Sequence, residues 1–212
     1  MLQAFDNIIW DWNGTLLNDQ EITMQCINRV LKSRGLDQLN TNSYREAFDF
    51  PIKDYYARIG FDFDKDPFSI LAEEFISDYY SVIDQAQLHV GVNQLLDQLR
   101  TNSKNLFVLS AMEHQSLLKT LKQHDILHFF SDVSGLNDHH AASKSENGIK
   151  LLNHHQLDPK KTVLIGDTTH DADTAKLIGC QCILFSQGHQ SFQKLQATQF
   201  PIIDELHKLF IN

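Results

Sequence analysis

Four short apolar segments with strand-forming residues recur along this chain, and helix-like patterns separate them. Apolar side chains occupy both faces of each segment, which is typical of parallel strands that helices cover on both sides of a sheet. This alternation predicts a doubly wound α/β fold. The predicted strands are Phe5 to Trp10, Leu106 to Ser110, Thr162 to Ile165 and Cys182 to Phe185, with a weaker fifth at Phe129 to Val133. The predicted helices of this core are His114 to His124, Ser145 to His155 and Asp171 to Ile178.

About 90 residues separate the first two predicted strands, far more than one crossover needs. The intervening stretch has helical patterns, which predicts an all-helical cap inserted after the first strand. The predicted domains are an α/β core of residues 1–16 and 88–212 and a cap of residues 17–87. The helical patterns run from Gln20 to Lys32, Asn42 to Phe48, Pro51 to Ile59 and Pro67 to Val82, and Leu88 to Arg100 leads back to the core.

Composition restricts the class of protein. A net charge of -9 over 212 residues argues against a broad surface for nucleic acid or anionic membranes. The three cysteines lack metal-binding spacing, and no run of about 18 apolar residues predicts a membrane span. We therefore expect a reduced, cytoplasmic, soluble protein, either a monomer or a homodimer. The adjacent pairs His139-His140 and His154-His155 do not share a helix face, so we expect solvated histidines rather than a metal cluster.

An acidic residue directly follows the first predicted strand. Asp11 stands behind the apolar run Ile8 to Trp10 and before a turn that contains Gly14. A side chain at this place lies at the carboxyl edge of the sheet, where open α/β sheets bind ligands. Because an acid there contributes little to packing, Asp11 is a candidate functional residue.

Further polar residues lie at predicted strand or helix ends, and each alone is a weak signal. Asp167 after a glycine is typical of a turn, Asp171 of a helix cap, and Lys144 of a solvated surface. Together with Asp11 and Ser110, in this order and with the inserted cap, they resemble the motifs of haloacid dehalogenase superfamily phosphatases. The resemblance spans nearly the whole chain and points to the phosphoglycolate phosphatase-like branch, whose helical cap occupies the same place.

The resemblance implies Mg²⁺-dependent hydrolysis of a small phosphorylated substrate, a phosphomonoester of the phosphoglycolate type, through a phosphate carried on Asp11. Mg²⁺ prefers oxygen ligands. The implied ligands are the carboxylates of Asp11 and Asp167 and the backbone carbonyl of Asn13, with Asp171 as an outer or occasional direct ligand.

Phosphate binding is likewise implied by the resemblance. Ser110 and Ala111 would bind phosphate at a helix start, where free N–H groups and the helix dipole favour anions. Gly14 and Thr15 would assist from the other side. Lys144 would neutralise the phosphate and act in catalysis by keeping the nucleophile ionised.

Asn13 occupies a catalytic position in the family pattern, where a second Asp donates and later accepts a proton. An amide does neither at physiological pH, and general acid–base help typically contributes about 10²–10⁴-fold. Several outcomes stay open: a slow phosphatase, one restricted to good leaving groups such as acyl or aryl phosphates, replacement of the acid by water held at Asp171 or His170, or deamidation of Asn13. The alternative is a non-enzymatic protein that binds a phosphorylated metabolite.

The segment Phe48 to Lys53 is a candidate specificity loop of the cap. A helix start at Pro51 is the other interpretation of the same residues. Lys53 and Arg58 are candidate contacts for a substrate anion, with solvated side chains as the alternative.

Overall fold

A computed structural model describes residues 1–136 and 143–209 of the chain. Its strands are β1 (Asn7–Trp10), β2 (Leu17–Asn18), β3 (Gln87–Leu88), β4 (Asn105–Glu113), β5 (Asp132–Leu136), β6 (Thr162–Gly166), β7 (Gln181–Phe185) and β8 (Ile202–Ile203). Six of them form a parallel sheet in the order β5-β4-β1-β6-β7-β8. The remaining two, β2 and β3, form an antiparallel pair.

Nine α-helices occur in the described residues, and none of them is long and apolar enough to cross a membrane. Four lie between β2 and β3: α1 (Gln20–Ser33), α2 (Thr41–Ala47), α3 (Ile52–Arg58) and α4 (Phe68–Val82). The others are α5 (Val92–Thr101), α6 (His114–Gln123), α7 (Lys144–His155), α8 (Thr169–Ile178) and α9 (Phe192–Gln196).

The main sheet buries apolar side chains on both faces. Along β1, Ile8 and Trp10 belong to one buried cluster and Ile9 belongs to the other, because successive side chains of a strand point to opposite faces. Leucines of α5 and α6 complete the first cluster. Side chains of α7 and α8 complete the second. The predicted doubly wound α/β fold is confirmed.

Helices α1 to α4 enclose a third buried cluster, which is rich in aromatic side chains. It includes Ile27 and Leu31 of α1, Tyr44 of α2, and Tyr55 and Tyr56 of α3. The end of α4 belongs elsewhere: Tyr79 packs in the first cluster of the main sheet. Helix α4 therefore joins the helical segment to the α/β core.

The strand order places two acidic residues side by side. The chain runs from β1 to β4 and β5 and then crosses to β6 on the other side of β1. At such a reversal, the connections after neighbouring strands diverge and leave a crevice at the carboxyl edge. Asp11 follows β1 and Asp167 follows β6, so both lie at this crevice.

Three local features differ from the sequence prediction. Strand β5 begins three residues later than predicted because Leu127–Phe129 forms a 3-10 helix. Strand β4 continues to Glu113 instead of ending at Ser110. The short elements β2, β3, β8 and α9 were not predicted, since two to five residues are too few for a periodic signal.

Candidate active site

Asp11 is the first residue after β1. Its backbone N–H donates to the carbonyl of Ile165 on β6 at 2.8 Å, which holds the chain in the sheet up to the turn. Its carboxylate is buried and accepts a hydrogen bond from the ammonium group of Lys144. The residue that the sequence singled out thus lies in a buried ion pair at the crevice.

Lys144 reaches Asp11 from the first turn of α7. Ser143 caps this helix: its hydroxyl accepts the N–H of Glu146 at 3.2 Å, and the Glu146 carboxylate accepts the N–H of Ser143 at 3.3 Å. The ammonium group also donates to Oδ1 of Asp171 at 2.5 Å. Burial acts to lower the pKa of Lys144, but the charges of Asp11 and Asp171 outweigh burial and the pKa is raised. Lys144 is therefore a permanent cation.

Asp171 makes two kinds of contact at the start of α8. Its Oδ2 accepts the backbone N–H of Thr168 at 3.0 Å, and its own backbone N–H donates to the Thr168 hydroxyl oxygen at 3.4 Å, which together form a capping box. The Thr168 hydroxyl also donates to Oδ2 at 2.6 Å. Oδ1 of Asp171 accepts the ammonium group of Lys144. The capping interpretation of the sequence is correct, and the same carboxylate also lies beside the buried lysine.

Asp167 follows β6 and is completely buried. The Thr15 hydroxyl donates to its Oδ1 at 3.0 Å, and the backbone N–H of His189 donates to its Oδ2 at 2.6 Å. Gly14 is required next to it, because its φ is +75° and a Cβ there would lie 2.4 Å from Oδ2 of Asp167. The turn after β1 is therefore shaped around the carboxylate that follows β6.

Asp11, Asp167 and Asp171 form a cluster in which one oxygen of each lies within 4.8 Å of the others. Burial raises the pKa of Asp11 well above its usual value, and the charge of Lys144 only partly offsets burial and the neighbouring carboxylates. Burial also raises the pKa of Asp167. The cluster thus holds three buried carboxylates, and the ammonium group of Lys144 contacts two of them. A hard divalent cation with oxygen ligands, such as Mg²⁺, fits this donor set.

Ser110 and Ala111 line the same cavity, but the expected helix start is wrong. Strand β4 continues past them, and α6 begins only after Glu113. The Glu113 carboxylate accepts hydrogen bonds from two backbone N–H groups of the first turn, both at 2.8 Å. These two N–H groups are therefore not available to bind an anion. The Ser110 hydroxyl, which accepts the N–H of Met112 at 3.0 Å, is the polar side chain of this segment.

Gly14 and Thr15 do not present the free groups expected for phosphate binding. The Gly14 N–H donates to Oδ1 of Asp19 at 2.8 Å and to a backbone carbonyl at 2.9 Å. The Thr15 hydroxyl lies 3.0 Å from Oδ1 of Asp167 and 3.4 Å from Oδ2 of Asp11. Because these polar groups already have hydrogen-bond partners, both residues position the neighbouring carboxylates instead of offering free donors to a phosphate.

Asn13 lies at the cavity, where two partners hold its amide. Its Nδ2 donates to Oδ2 of Asp19 at 2.9 Å and to the Tyr79 hydroxyl at 2.7 Å. The Tyr79 hydroxyl donates in turn to the same Asp19 oxygen at 2.5 Å. Asp19 and Tyr79 were not identified from the sequence, since one precedes a helix and the other lies on an apolar helix face.

His189 is a third residue that the sequence analysis missed. Its Nε2 lies 3.2 Å from Oδ1 of Asp19, and its Nδ1 lies 2.8 Å from the Tyr44 hydroxyl of α2. Burial acts to lower the pKa of His189, but the charge of Asp19 outweighs burial and raises it to about 9. The same pairing lowers the pKa of Asp19 against the effect of its burial. Its place soon after a buried strand, beside Gly188, was the available signal.

The cap segment Phe48 to Lys53 combines both interpretations. Pro51 caps α3, while Phe48, Phe50 and Ile52 line the cavity. The Phe50 ring stacks on His170 with ring centroids 4.6 Å apart. Neither candidate cation lies at the cavity: Lys53 lies over the ring of Phe63, and Arg58 donates to Asp49 and to a backbone carbonyl.

The pair His154-His155 stands apart from the carboxylate cluster. His155 contacts Asp132 at the start of β5 at 2.8 Å, and His154 packs edge-on against His155. His139 and His140 lie outside the described residues. Within residues 1–136 and 143–209, the three clustered aspartates are the group of side chains that can hold a metal ion.

Comparisons with known proteins agree with this arrangement. Residues 8–185 match the family described as haloacid dehalogenase-like hydrolase. A phosphoglycolate phosphatase of Synechococcus elongatus is 24% identical over 192 residues, which cover 90% of this chain and 88% of that protein. One of Aliivibrio fischeri is 23% identical over 129 residues, or 59% of this chain and 56% of that protein.

A solved structure shows the same fold. The hydrolase of the haloacid dehalogenase-like family from Streptococcus pneumoniae superposes with a TM-score of 0.83 and covers 97% of each chain at 23% identity. The likeness extends over both the sheet and the inserted helices. The family match covers most of the chain, including the residues that form the carboxylate cluster. This protein therefore belongs to the haloacid dehalogenase-like hydrolases.

Proposed function

We propose that this protein is a phosphatase that hydrolyses a small phosphomonoester, with Asp11 as the nucleophile and Mg²⁺ as the cofactor. The observation that carries the proposal is the Asp11 carboxylate itself, buried at the carboxyl edge between Lys144 and two further carboxylates. The relatives named phosphoglycolate phosphatase support phosphoester hydrolysis. Their name makes phosphoglycolate the reference substrate.

Four groups would hold the metal ion: the carboxylates of Asp11, Asp167 and Asp171 and the backbone carbonyl of Asn13. When bound, Mg²⁺ supplies the positive charge that lets a dianionic phosphate approach a carboxylate. The Thr15 hydroxyl donates a hydrogen bond to the Asp167 carboxylate, and Gly14 leaves the space that this carboxylate occupies. Their role in the proposal is to position the carboxylates.

The reaction has two steps at phosphorus. An oxygen of Asp11 attacks the phosphorus atom, and the bond to the leaving oxygen breaks with its electron pair. Water then attacks the phosphorus of the aspartyl-phosphate, which regenerates the carboxylate and releases orthophosphate. Lys144 stays charged throughout and neutralises the transferring group, while the Ser110 hydroxyl and the Ala111 N–H bind its oxygens. Asn13 does not transfer a proton in either step.

The helical segment of residues 17–87 acts in this proposal as a cap that excludes water from the site. Its helices α3 and α4 form the wall of the cavity that faces Asp11. A cytoplasmic location is part of the same proposal. The three cysteines are buried and free, as in proteins of a reducing compartment.

Release of phosphate from phosphoglycolate and p-nitrophenyl phosphate, with and without Mg²⁺, tests the proposal. Asp11→Asn should lower kcat by about 10³-fold or more, as removal of a nucleophile does. Asp173→Asn changes an exposed acid on α8 and should leave kcat unchanged. Full activity of Asp11→Asn would refute the assignment of Asp11 as the nucleophile. The alternative of a non-enzymatic binding protein finds no support in the comparisons, and it predicts no release by the wild type.

A further inference from the structure

The space in front of Asp11 is a cavity of about 270 Å³ between the cap and the core. This volume lies just below the usual range of small-molecule sites, which is roughly 300 to 1,000 Å³. It suits one substituted ring and is small for a nucleotide. Its wall away from the carboxylates is mainly apolar and includes Phe50, Tyr55, Phe75, Ile76, Tyr80 and Met112.

The charges at this cavity disfavour an anionic leaving group. Among the described residues that line it, Lys144 is the one lysine or arginine, and its ammonium group is bound to two carboxylates. His189 is paired with Asp19, and the His170 ring is stacked against Phe50. A leaving group with its own carboxylate would therefore lose water without gaining a counter-ion.

A single polar group of the cap wall lacks a partner. The Tyr55 side chain is buried at the cavity, and its hydroxyl has no hydrogen-bond partner within the described part of the chain. Buried polar groups in proteins are almost always paired. The oxygen itself is buried away from the open space of the cavity, so a ligand there meets the ring of Tyr55 and not its hydroxyl.

The site also lacks a carboxylic acid at position 13, where Asn13 is held by Asp19 and Tyr79. A leaving group must therefore depart without a proton from this residue. A phenol, with a pKa of about 10, leaves as an anion far more readily than an aliphatic alcohol, whose hydroxyl resembles water with a pKa of about 15.7. The apolar wall and the missing acid thus favour the same ligand chemistry.

We infer that the substrate is a small aryl phosphate with an uncharged aromatic ring, and this inference rests on the proposed phosphatase function. In the first step Asp11 bonds to phosphorus and the phosphorus–oxygen bond to the ring oxygen breaks. The phenolate keeps the electron pair and takes a proton from solvent. Water then releases orthophosphate from Asp11. The ring packs between α3 and α4.

Four substrates test the leaving group through kcat/KM: phenyl phosphate, 4-carboxyphenyl phosphate, cyclohexyl phosphate and phosphoglycolate. The carboxyl substituent withdraws electrons and makes the phenol a better leaving group. A lower kcat/KM for this ester would therefore come from exclusion of its charge by the cavity and not from slower bond cleavage. Phenyl phosphate should exceed 4-carboxyphenyl phosphate by about tenfold or more. It should exceed both alkyl esters by about 100-fold or more.

Two variants check the wall of the cavity. Ile52→Lys places a cation there and should raise the ratio of 4-carboxyphenyl to phenyl phosphate by about tenfold. Ile70→Lys, at an exposed position of α4 outside this cavity, should leave the ratio unchanged.

Acetyl phosphate separates the two proposals, because its leaving group is too small to need the cap wall. If neither it nor any ester releases phosphate, the proposed phosphatase function fails. If acetyl phosphate is hydrolysed but phosphoglycolate or cyclohexyl phosphate equals or exceeds phenyl phosphate, the phosphatase stands and the aryl inference is overturned. An unchanged ratio in Ile52→Lys, with acetyl phosphate still hydrolysed, contradicts the placement of the ring.

Discussion

Nδ2 of Asn13 lies 2.9 Å from Oδ2 of Asp19, so the amide at the position usually held by an acid donates to a buried carboxylate. The same oxygen accepts the Tyr79 hydroxyl at 2.5 Å. An acid at position 13 would place two carboxylates in hydrogen-bond distance, and only one of them would ionise readily. Asn13 therefore departs from the family pattern, and its amide supplies the hydrogen-bond donor that the Asp19 carboxylate accepts.

Asn13→Asp alone should give less than the 10²–10⁴-fold gain in kcat on cyclohexyl phosphate that a general acid typically contributes. The double variant Asn13→Asp/Asp19→Asn keeps one acid and one amide in contact and should exceed the single variant. Steady-state kinetics of the wild type, both single variants and the double variant give the coupling. A single Asn13→Asp variant as active as the double variant would show that Asp19 does not restrain position 13.

Tyr79→Phe should destabilise the protein by about 1–3 kcal/mol, because it removes a buried hydroxyl that bonds to both Asp19 and Asn13. Urea unfolding followed by circular dichroism measures the change. Tyr80→Phe, on the next and half-buried residue of α4, is the matched control and should cost less. Equal losses in the two variants would contradict the network.

The His189–Asp19 pair predicts a pH dependence of stability. The pKa of His189 is raised to about 9 in the folded protein, compared with about 6.5 in an unfolded chain. Its stabilisation is therefore complete below about pH 6.5 and is lost as the pH rises through about 9. The lowered pKa of Asp19 acts at the other end, where stability falls as Asp19 takes up a proton in acid.

Urea unfolding between pH 6.5 and 9.5 measures the basic limb of this dependence. The free energy of unfolding should fall by up to about 3 kcal/mol in the wild type. The His189→Gln variant should lose this slope. His207→Gln removes an exposed histidine and should retain the wild-type slope, while a sloping His189→Gln profile would assign the dependence to other groups.

Mg²⁺ should raise the melting temperature of the protein in a saturable way. A ligand at 100 times its Kd stabilises by about 2.7 kcal/mol, which corresponds to roughly 5–10 °C for a chain of this size. Asp167→Asn removes a carboxylate of the cluster and should shift the half-saturating Mg²⁺ concentration upward by about tenfold or more. The control Asp173→Asn should titrate as the wild type, and an equal response in Asp167→Asn would exclude this carboxylate as a ligand.

The site residues that could be predicted from the sequence lie in short patterns of neighbouring residues. Asp11 directly follows an apolar strand, Asp167 follows another, and Asp171 is the third residue of a helix. Each signal needs only a few neighbouring residues, since strand ends and helix caps are short patterns. The helix start expected at Ser110 was wrong because β4 contains a bulge and continues for three more residues. The course of the strand there depends on its pairing with β5, which a short pattern of neighbouring residues does not reveal.

By itself the sequence determined the α/β core, the inserted helices and the strand ends that carry Asp11 and Asp167, because the hydrophobic period and the order of elements are local properties. The tertiary structure alone decided the environment of Asn13. Its partner Tyr79 is 66 residues away, and the His189 that pairs with Asp19 is 170 residues from that carboxylate. Contacts at such separations depend on how α4 and the loop after β7 pack around the crevice, and no pattern along the chain records that packing.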